Sequence, residues 1–320
     1  MTKSQLGGGL LASVSRSFYL SIRILPGPLR EVIGLAYLLA RTSDTLADTE
    51  TCPAALRREL LADFATLIRE PRSTDLKRFA REVHPSHAGE KLLLEHVGAC
   101  LDWLGEVPET RRSLIREVLA RIIHGQDLDL ARFGGNAGVL SLETAAELEE
   151  YAYLVAGCVG EFWAAACADC LPGHSRVALT ELLPLARDFG KALQLVNILR
   201  DLPKDLRGGR CYLPRVELAE AGIRPDELLA RPEPALPVAE RWVGRARQLL
   251  ESGGRYIDAT RPMRLRMACY LPWDLARQTL DLIEATPPLL SPVRVKVRRP
   301  EVYRTLVRGF FVAGSERPVG

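Results

Sequence analysis

Neither sign of charge dominates this chain, its cysteines form no pairing framework, no apolar run is long enough to span a bilayer, and nothing comparable in length to its helical runs alternates as a strand would. Each absence closes off a class of function. Lys and Arg number 43 against 40 Asp and Glu, a formal net charge of +3 over 320 residues, so composition lends nucleic-acid binding no support. The seven cysteines, at 52, 100, 158, 167, 170, 211 and 269, sit mostly among apolar neighbours. They are expected to be reduced core thiols of a cytoplasmic protein, without disulfides. Cys167 and Cys170 form a C-x-x-C, but no second pair lies at zinc-site spacing, and a helix packing two small residues accounts for the pattern more simply than a metal or redox role. The opening MTKSQLGGGLLASVSRSF has no long apolar core of the signal-peptide kind. No stretch reaches the roughly 18 uncharged apolar residues of a membrane span, so the protein is expected to be soluble or only peripherally attached.

What is present is helical periodicity. The 47% hydrophobic content is ample for a packed core. Apolar residues recur at i, i+3, i+4 and i+7 through residues 28–48, 54–68, 89–105, 110–132, 143–170, 175–205, 238–253 and 271–284. Pro26, Pro28, Pro71, Pro108, the Leu171-Pro172-Gly173 turn and a proline-rich connection from Pro225 to Pro237 punctuate these runs. The pattern predicts an all-α fold, one domain over residues 1–320, with a mobile tail from about residue 286 where Pro287, Pro288 and Pro292 precede Gly314-Ser315-Glu316. Ser141 is the expected N-cap of the helix reaching Cys170, with Glu143 in its first turn. Pro184 is expected to split or kink the following helix.

Two of the apolar helices carry an acidic strip. In YLLARTSDTLAD, Tyr37, Arg41, Asp44 and Asp48 stand at offsets 0, 4, 7 and 11; in QLVNILRDLPKD, Gln194, Asn197, Asp201 and Asp205 stand at 0, 3, 7 and 11. At about 100° per residue each set falls in one narrow stripe. Such strips can be solvated faces with ordinary ion pairs, Arg41 to Asp44 or Asp201 to Lys204. Two of them inside otherwise apolar helices favour a lined cavity, where paired carboxylates are costly unless a cation joins them. Mg²⁺ suits this donor set, because it prefers oxygen, keeps waters, and bridges one or two carboxylates to a substrate phosphate. A diphosphate is the expected ligand.

With both motifs in place, the chain resembles the squalene and phytoene synthase family of head-to-head prenyl transferases over about residues 10 to 300. SRSF, with Ser15, Arg16 and Phe18, resembles the family's diphosphate-contacting and pocket-forming opening. YAYLVAGCVGE places Tyr151, Val155 and Val159 at the family's tyrosine and tunnel wall. NILRDLPKDLRGGRCYLP, with Arg200, Arg210 and Tyr212, looks most like squalene synthases. VKVRR, holding Lys296, Arg298 and Arg299, is similar to a segment linked there to NADPH use, although the alternation of valines with basic residues also suits a solvated loop or stub strand. Three departures stand out. Pro203 lies between Asp201 and Asp205, where it would clash with the Leu199 carbonyl in a regular helix. DTLADT lacks the additional acid often found in eukaryotic squalene synthases, and the sequence ends without their anchor. A bacterial-type soluble enzyme fits better.

The resemblance implies an isoprenoid synthase helical bundle around a central cavity, using two farnesyl diphosphates. Asp44, Asp48, Asn197, Asp201 and Asp205 would serve the Mg²⁺ ions, and Arg16, Arg41, Arg200 and Arg210 would donate to diphosphate. Gln194 and Asn197 would orient metal-bound water or phosphate oxygen. Tyr151 would guide a proton or stabilise a cation, while Phe18, Tyr37, Val155 and Val159 line a dry pocket. Presqualene diphosphate would form first, and hydride from NADPH, held by Lys296, Arg298 or Arg299 at the 2′-phosphate, would yield squalene. Without the hydride the product would be presqualene diphosphate, dehydrosqualene or a phytoene-like precursor. Peripheral membrane contact would aid product release. A different class, a non-catalytic assembly or binding protein of the same fold, is disfavoured by the intact aspartate motifs.

Overall fold

The computed structural model describes residues 1–15, 18–70, 75–135 and 138–290, together with positions 295, 297, 301, 304, 305 and 309. Described residues are overwhelmingly helical, and the all-α expectation holds. Contacts cluster into two compact units, one made of residues 1–135 and 165–172, the other of residues 136–164 and 173–320.

The first unit begins with Thr2 capping the turn Lys3–Gln5, its hydroxyl accepting from the Gln5 N–H while the Gln5 side chain accepts from the Thr2 N–H. Short helices Leu11–Ser15 and Phe18–Arg23 lead to the long helix Gly27–Asp48, entered through Pro26 and Pro28, whose fixed φ suits a helix start. One face of it buries Leu29, Val32, Ile33, Leu35, Leu38, Leu39 and Leu46, each contributing about 1.5–3 kcal/mol of transfer free energy. Its C-terminal end is held by a buried arginine on the next helix, Ala54–Arg69: Arg57 Nη1 donates to the Ala47 carbonyl at 2.6 Å. That bond satisfies a carbonyl that has no donor within its own helix. The run expected over 89–105 is two helices, Ala88–Glu95 and Val97–Glu106, because His96 leaves helical geometry at φ −114°, ψ 16°. Helix Glu109–Phe133 completes the frame. Phe18–Arg23, Lys77–Glu82 and the N-terminal turns are helical although no long apolar repeat announces them.

In the second unit a two-residue strand, Leu140–Ser141, pairs in parallel with Arg210–Cys211. This corrects the expected cap. Ser141 is spent in the strand, and Thr144 caps helix Ala145–Ala152, its Oγ1 accepting from the Glu147 N–H at 3.3 Å. Glu143 lies outside the helix, its carboxylate gripped by Arg215 at 2.6 and 2.7 Å. The expected single helix over 143–170 is interrupted by a π-helical segment, Tyr153–Gly157, before Cys158–Cys170, whose residues to Ala164 belong to this unit. Helix Leu179–Arg207 runs unbroken through both Pro184 and Pro203. Pro184 would otherwise bond to Thr180, whose exposed position near the helix start lets water replace the missing donor. Pro203 lacks the N–H that would bond the Leu199 carbonyl, yet the helix continues past it to Arg207.

Helix Leu179–Arg207 presses against the π-segment and the start of the helix after it at glycines: a Cβ on Gly160 would lie 1.9 Å from the Ala186 carbonyl oxygen, and one on Gly190 2.2 Å from that of Ala156. No side chain fits at either position. Helices Leu236–Ala259 and Met263–Ala285 close the core, and Trp273 Nε1 donates to the Leu250 carbonyl at 3.0 Å. The run Ala145–Cys170 is long and apolar enough to cross a membrane by length and composition alone, although Glu161 interrupts its uncharged stretch. Glu149, near its start, is paired to Lys191 and Arg245.

Candidate active site

The first acidic strip lies entirely in the first unit, on helix Gly27–Asp48. Phe18 and Tyr37 stack at 5.7 Å with planes 16° apart, and the Tyr37 hydroxyl reaches the Val14 carbonyl at 3.4 Å. Arg41 Nη2 donates to the Tyr37 hydroxyl at 3.0 Å, with its guanidinium carbon 5.7 Å from the ring centre. Its other terminal nitrogen stands 3.7 Å from Asp44 Oδ2, a loose ion pair. A residue the sequence pattern did not single out holds the other oxygen: Gln126, buried on helix Glu109–Phe133, donates from Nε2 to Asp44 Oδ1 at 2.6 Å. Asp127 and Asp129 flank it, but they do not form a strip of the spacing above, so only the fold shows that Gln126 meets Asp44.

Burial raises the Asp44 carboxyl to about 7, and the like charges of Asp48 and Glu90 add to this, whereas Arg41 and the Gln126 hydrogen bond pull the other way. Yet its side chain keeps 40% of its surface open. The carboxylate is ringed by protein mass but has an open side, as a group awaiting a positively charged ligand would. Asp48, one turn on, is exposed. Arg41 is held above its ordinary range; burial opposes its charge but Asp44 and Tyr37 outweigh it. Ser15 is buried, its hydroxyl donating to the Leu11 carbonyl at 2.5 Å. Arg16 lies outside the described residues.

The second strip, on helix Leu179–Arg207, is built differently. Arg200 grips the neighbouring Asp201 through Nε at 3.1 Å and Nη2 at 2.6 Å. Asn197 is exposed, while Gln194, Asp201 and Asp205 are half-buried. Asp205 is placed by a continuous helix in spite of Pro203, close enough to Cys211 that its charge adds to the burial pushing that thiol up to about 12. Gly209, at φ +78°, turns the chain from this helix into the strand bearing Arg210. Two residues on, the buried Tyr212 stacks on Tyr151 with ring centres 5.0 Å apart, their hydroxyls separated by 3.5 Å. Tyr151 sits just before the π-helical segment that contains Val155 and precedes Val159, all three half-buried. Such bulges often mark functional sites, and this one shifts the register between the tyrosine and the two valines away from regular helical spacing. Lys296, Arg298 and Arg299 lie outside the described residues.

Among the described residues no group of three or more His, Cys, Asp or Glu stands ready to hold a metal by itself. All-oxygen pairs suit a hard cation that takes the rest of its shell from water and phosphate, so the residues present fit Mg²⁺. Asp44 Oδ2, with Arg41 no nearer than 3.7 Å, offers an oxygen suited to such a cation.

The model of the squalene/phytoene synthase family matches residues 11–301. A bifunctional lycopene cyclase/phytoene synthase of Colletotrichum graminicola is 32% identical over 233 residues, covering 69% of this chain and 36% of that protein. Squalene synthase ERG9 of Gibberella zeae is 29% identical over 203 residues, 63% of this chain and 41% of that one. This chain thus spans well under half the length of these curated relatives. Among solved structures, the complex of TcSQS with the ligand E5700 superposes with a TM-score of 0.80 at 22% identity, covering 96% of this chain and 86% of that one, which shows a shared fold. From the family match across nearly its whole length, the chain belongs to the squalene/phytoene synthase family, whose members are prenyltransferases.

Proposed function

We propose that the protein joins two farnesyl diphosphates head to head, giving presqualene diphosphate, and that loss of the remaining diphosphate, rearrangement and hydride delivery from NADPH then give squalene and NADP⁺. The observation that carries the reading is the first strip: an Asp44 carboxylate with raised proton affinity, one oxygen fixed by Gln126 and the other only loosely engaged by Arg41. Mg²⁺ bound by Asp44, Asp48, Asn197, Asp201 and Asp205 would offset the charge of the departing diphosphate. Arg41, Arg200 and Arg210, with Arg16, donate to diphosphate oxygens as the allylic C–O bond breaks and its electron pair leaves with the diphosphate. Gln194 hydrogen-bonds a phosphate oxygen and sets its orientation.

The double bond of the second farnesyl chain attacks the allylic cation, and loss of a proton closes the cyclopropane. Tyr151, its hydroxyl beside that of Tyr212, steers that proton or steadies the cation. The Phe18 and Tyr37 faces stabilise positive carbon by about 2 kcal/mol in a dry setting. Val155 and Val159 keep water from quenching it. Lys296, Arg298 and Arg299 take the nicotinamide phosphate. Residues 1–320 work as one catalytic domain in the cytoplasm, with peripheral membrane contact for product release.

The reductive step draws its support from the GGRCYLP and VKVRR resemblances. A second reading, a phytoene-type condensation without reduction, is favoured by the 32% identity to a lycopene cyclase/phytoene synthase. Product analysis after incubation with farnesyl diphosphate and Mg²⁺, with and without NADPH, separates them. Squalene appearing only with NADPH supports the first reading. Indifference to NADPH, or turnover only of a longer prenyl diphosphate, supports the second.

A further inference from the structure

We infer that Gln126 is a positioning residue for the metal-binding carboxylate: it fixes one oxygen of Asp44 with a neutral donor so that the other is presented to a divalent cation. This rests on the reading of the first strip given above. Gln126 is 9% exposed, and its Nε2 lies 2.6 Å from Asp44 Oδ1, a short bond to a charged acceptor. Asp44 Oδ2 has no comparably close partner among the described residues; Arg41, the cation nearest it there, stands at 3.7 Å. Arg41 is itself tethered away from Asp44 by its 3.0 Å bond to Tyr37. The two carboxylate oxygens are therefore unequal, one locked from a different helix and one left available.

The amide is installed at a cost. Gln126 Oε1 is buried with no hydrogen-bond partner, and a buried unsatisfied acceptor costs about 1–3 kcal/mol. A core position filled for stability alone would be better served by a Met of similar size, which leaves no polar atom unpaired. A basic residue would answer the negative charge of Asp44, Asp48 and Glu90, but it would compete with a metal ion for the same carboxylate. A neutral donor is the one side-chain chemistry that orients the carboxylate and leaves its charge for a cation.

The test is Mn²⁺ binding to the substrate-free protein, followed by the loss of the free-ion spin-resonance signal, in wild type, Gln126→Met, Gln126→Lys and Asp44→Asn, with a thermal melt of each. Gln126→Met keeps volume and removes both the bond to Asp44 and the unpaired Oε1, effects of similar size and opposite sign, so it should weaken Mn²⁺ about tenfold while melting within a few degrees of wild type. Gln126→Lys should abolish detectable Mn²⁺ binding and melt as high or higher, through its ion pair with Asp44. Metal affinity thus falls without a matching loss of stability, which a merely structural glutamine would not produce. If Asp44→Asn loses Mn²⁺ while Gln126→Met binds it as wild type does, the positioning role is overturned and the metal assignment stands. If Asp44→Asn binds Mn²⁺ as wild type does, the metal reading of the strip itself falls, and the inference with it.

Discussion

The two acidic strips share a spacing but not a construction. Asp44 is held from outside its helix, by a buried amide on Glu109–Phe133, whereas Asp201 is held by the residue beside it, in a two-bond grip from Arg200. The first arrangement leaves a carboxylate whose proton affinity is raised by burial to about 7; the second couples an aspartate to a cation that the proposed reaction also assigns to diphosphate. The proposed mechanism therefore asks the first strip only to gain a positive ligand, whereas in the second it asks a side chain to release its neighbour or share it with diphosphate.

The largest effects that test this contrast come from the aspartates. Asp44→Asn and Asp201→Asn each remove charge with little change of volume, and each should lower diphosphate release from farnesyl diphosphate by about 10³-fold or more, with circular dichroism unchanged. A loss confined to one variant would make the two strips unequal in function as well as in build.

Next comes Tyr151→Phe, which keeps the stack on Tyr212 and deletes one hydroxyl of a pair 3.5 Å apart. Presqualene diphosphate formation should slow about 10²-fold if that hydroxyl handles the proton. An unchanged rate would reduce Tyr151 to packing. Arg200→Gln should be milder, about tenfold in kcat, because losing a diphosphate donor is partly offset by releasing Asp201; a loss as deep as that of Asp201→Asn would show that the grip itself is essential.

Much of this frame was legible in the sequence because helices announce themselves by period. The strips, the apolar faces and the proline-marked breaks follow from side-chain spacing alone. Ser141 misled because a Ser ahead of an acidic, apolar run looks like a cap; the parallel pairing of Leu140–Ser141 with Arg210–Cys211, some 70 residues away, moved the helix start to Thr144. Residues 143–170 read as one helix because the extra residue of a π-segment leaves composition unchanged, and because only packing shows why Gly160 and Gly190 have no side chain. Gln126 was invisible for the same reason. Its partner is 82 residues away.

That close approach gives a prediction in stability. Gly160→Ala forces a Cβ to within 1.9 Å of the Ala186 carbonyl, so backbone must move, at a cost of about 1–3 kcal/mol. Thermal melts should show it, whereas Gly244→Ala, with nothing near its Cβ, should melt like wild type or slightly higher.

The smallest effect is a pH slope. A carboxyl raised on folding favours the folded state while it is protonated, so its contribution is full below about pH 4 and is lost as pH rises through about 7. Without divalent metal, wild type should therefore lose stability across this window relative to Asp44→Asn, and Mg²⁺ should restore more of it at pH 8 than at pH 6. Solvent screening at the open side of Asp44 keeps the slope modest. Parallel melting curves for the two proteins would show that Asp44 titrates normally.

Whether the two strips act as one metal-dependent machine is tested most directly by a double-mutant cycle on diphosphate release from farnesyl diphosphate at saturating Mg²⁺, using Asp44→Asn, Asp201→Asn and the double variant. Residues that act as a unit lose nearly everything at the first substitution. The account predicts a double variant no slower than the slower single. Losses that multiply, or full activity in either single variant, would contradict it.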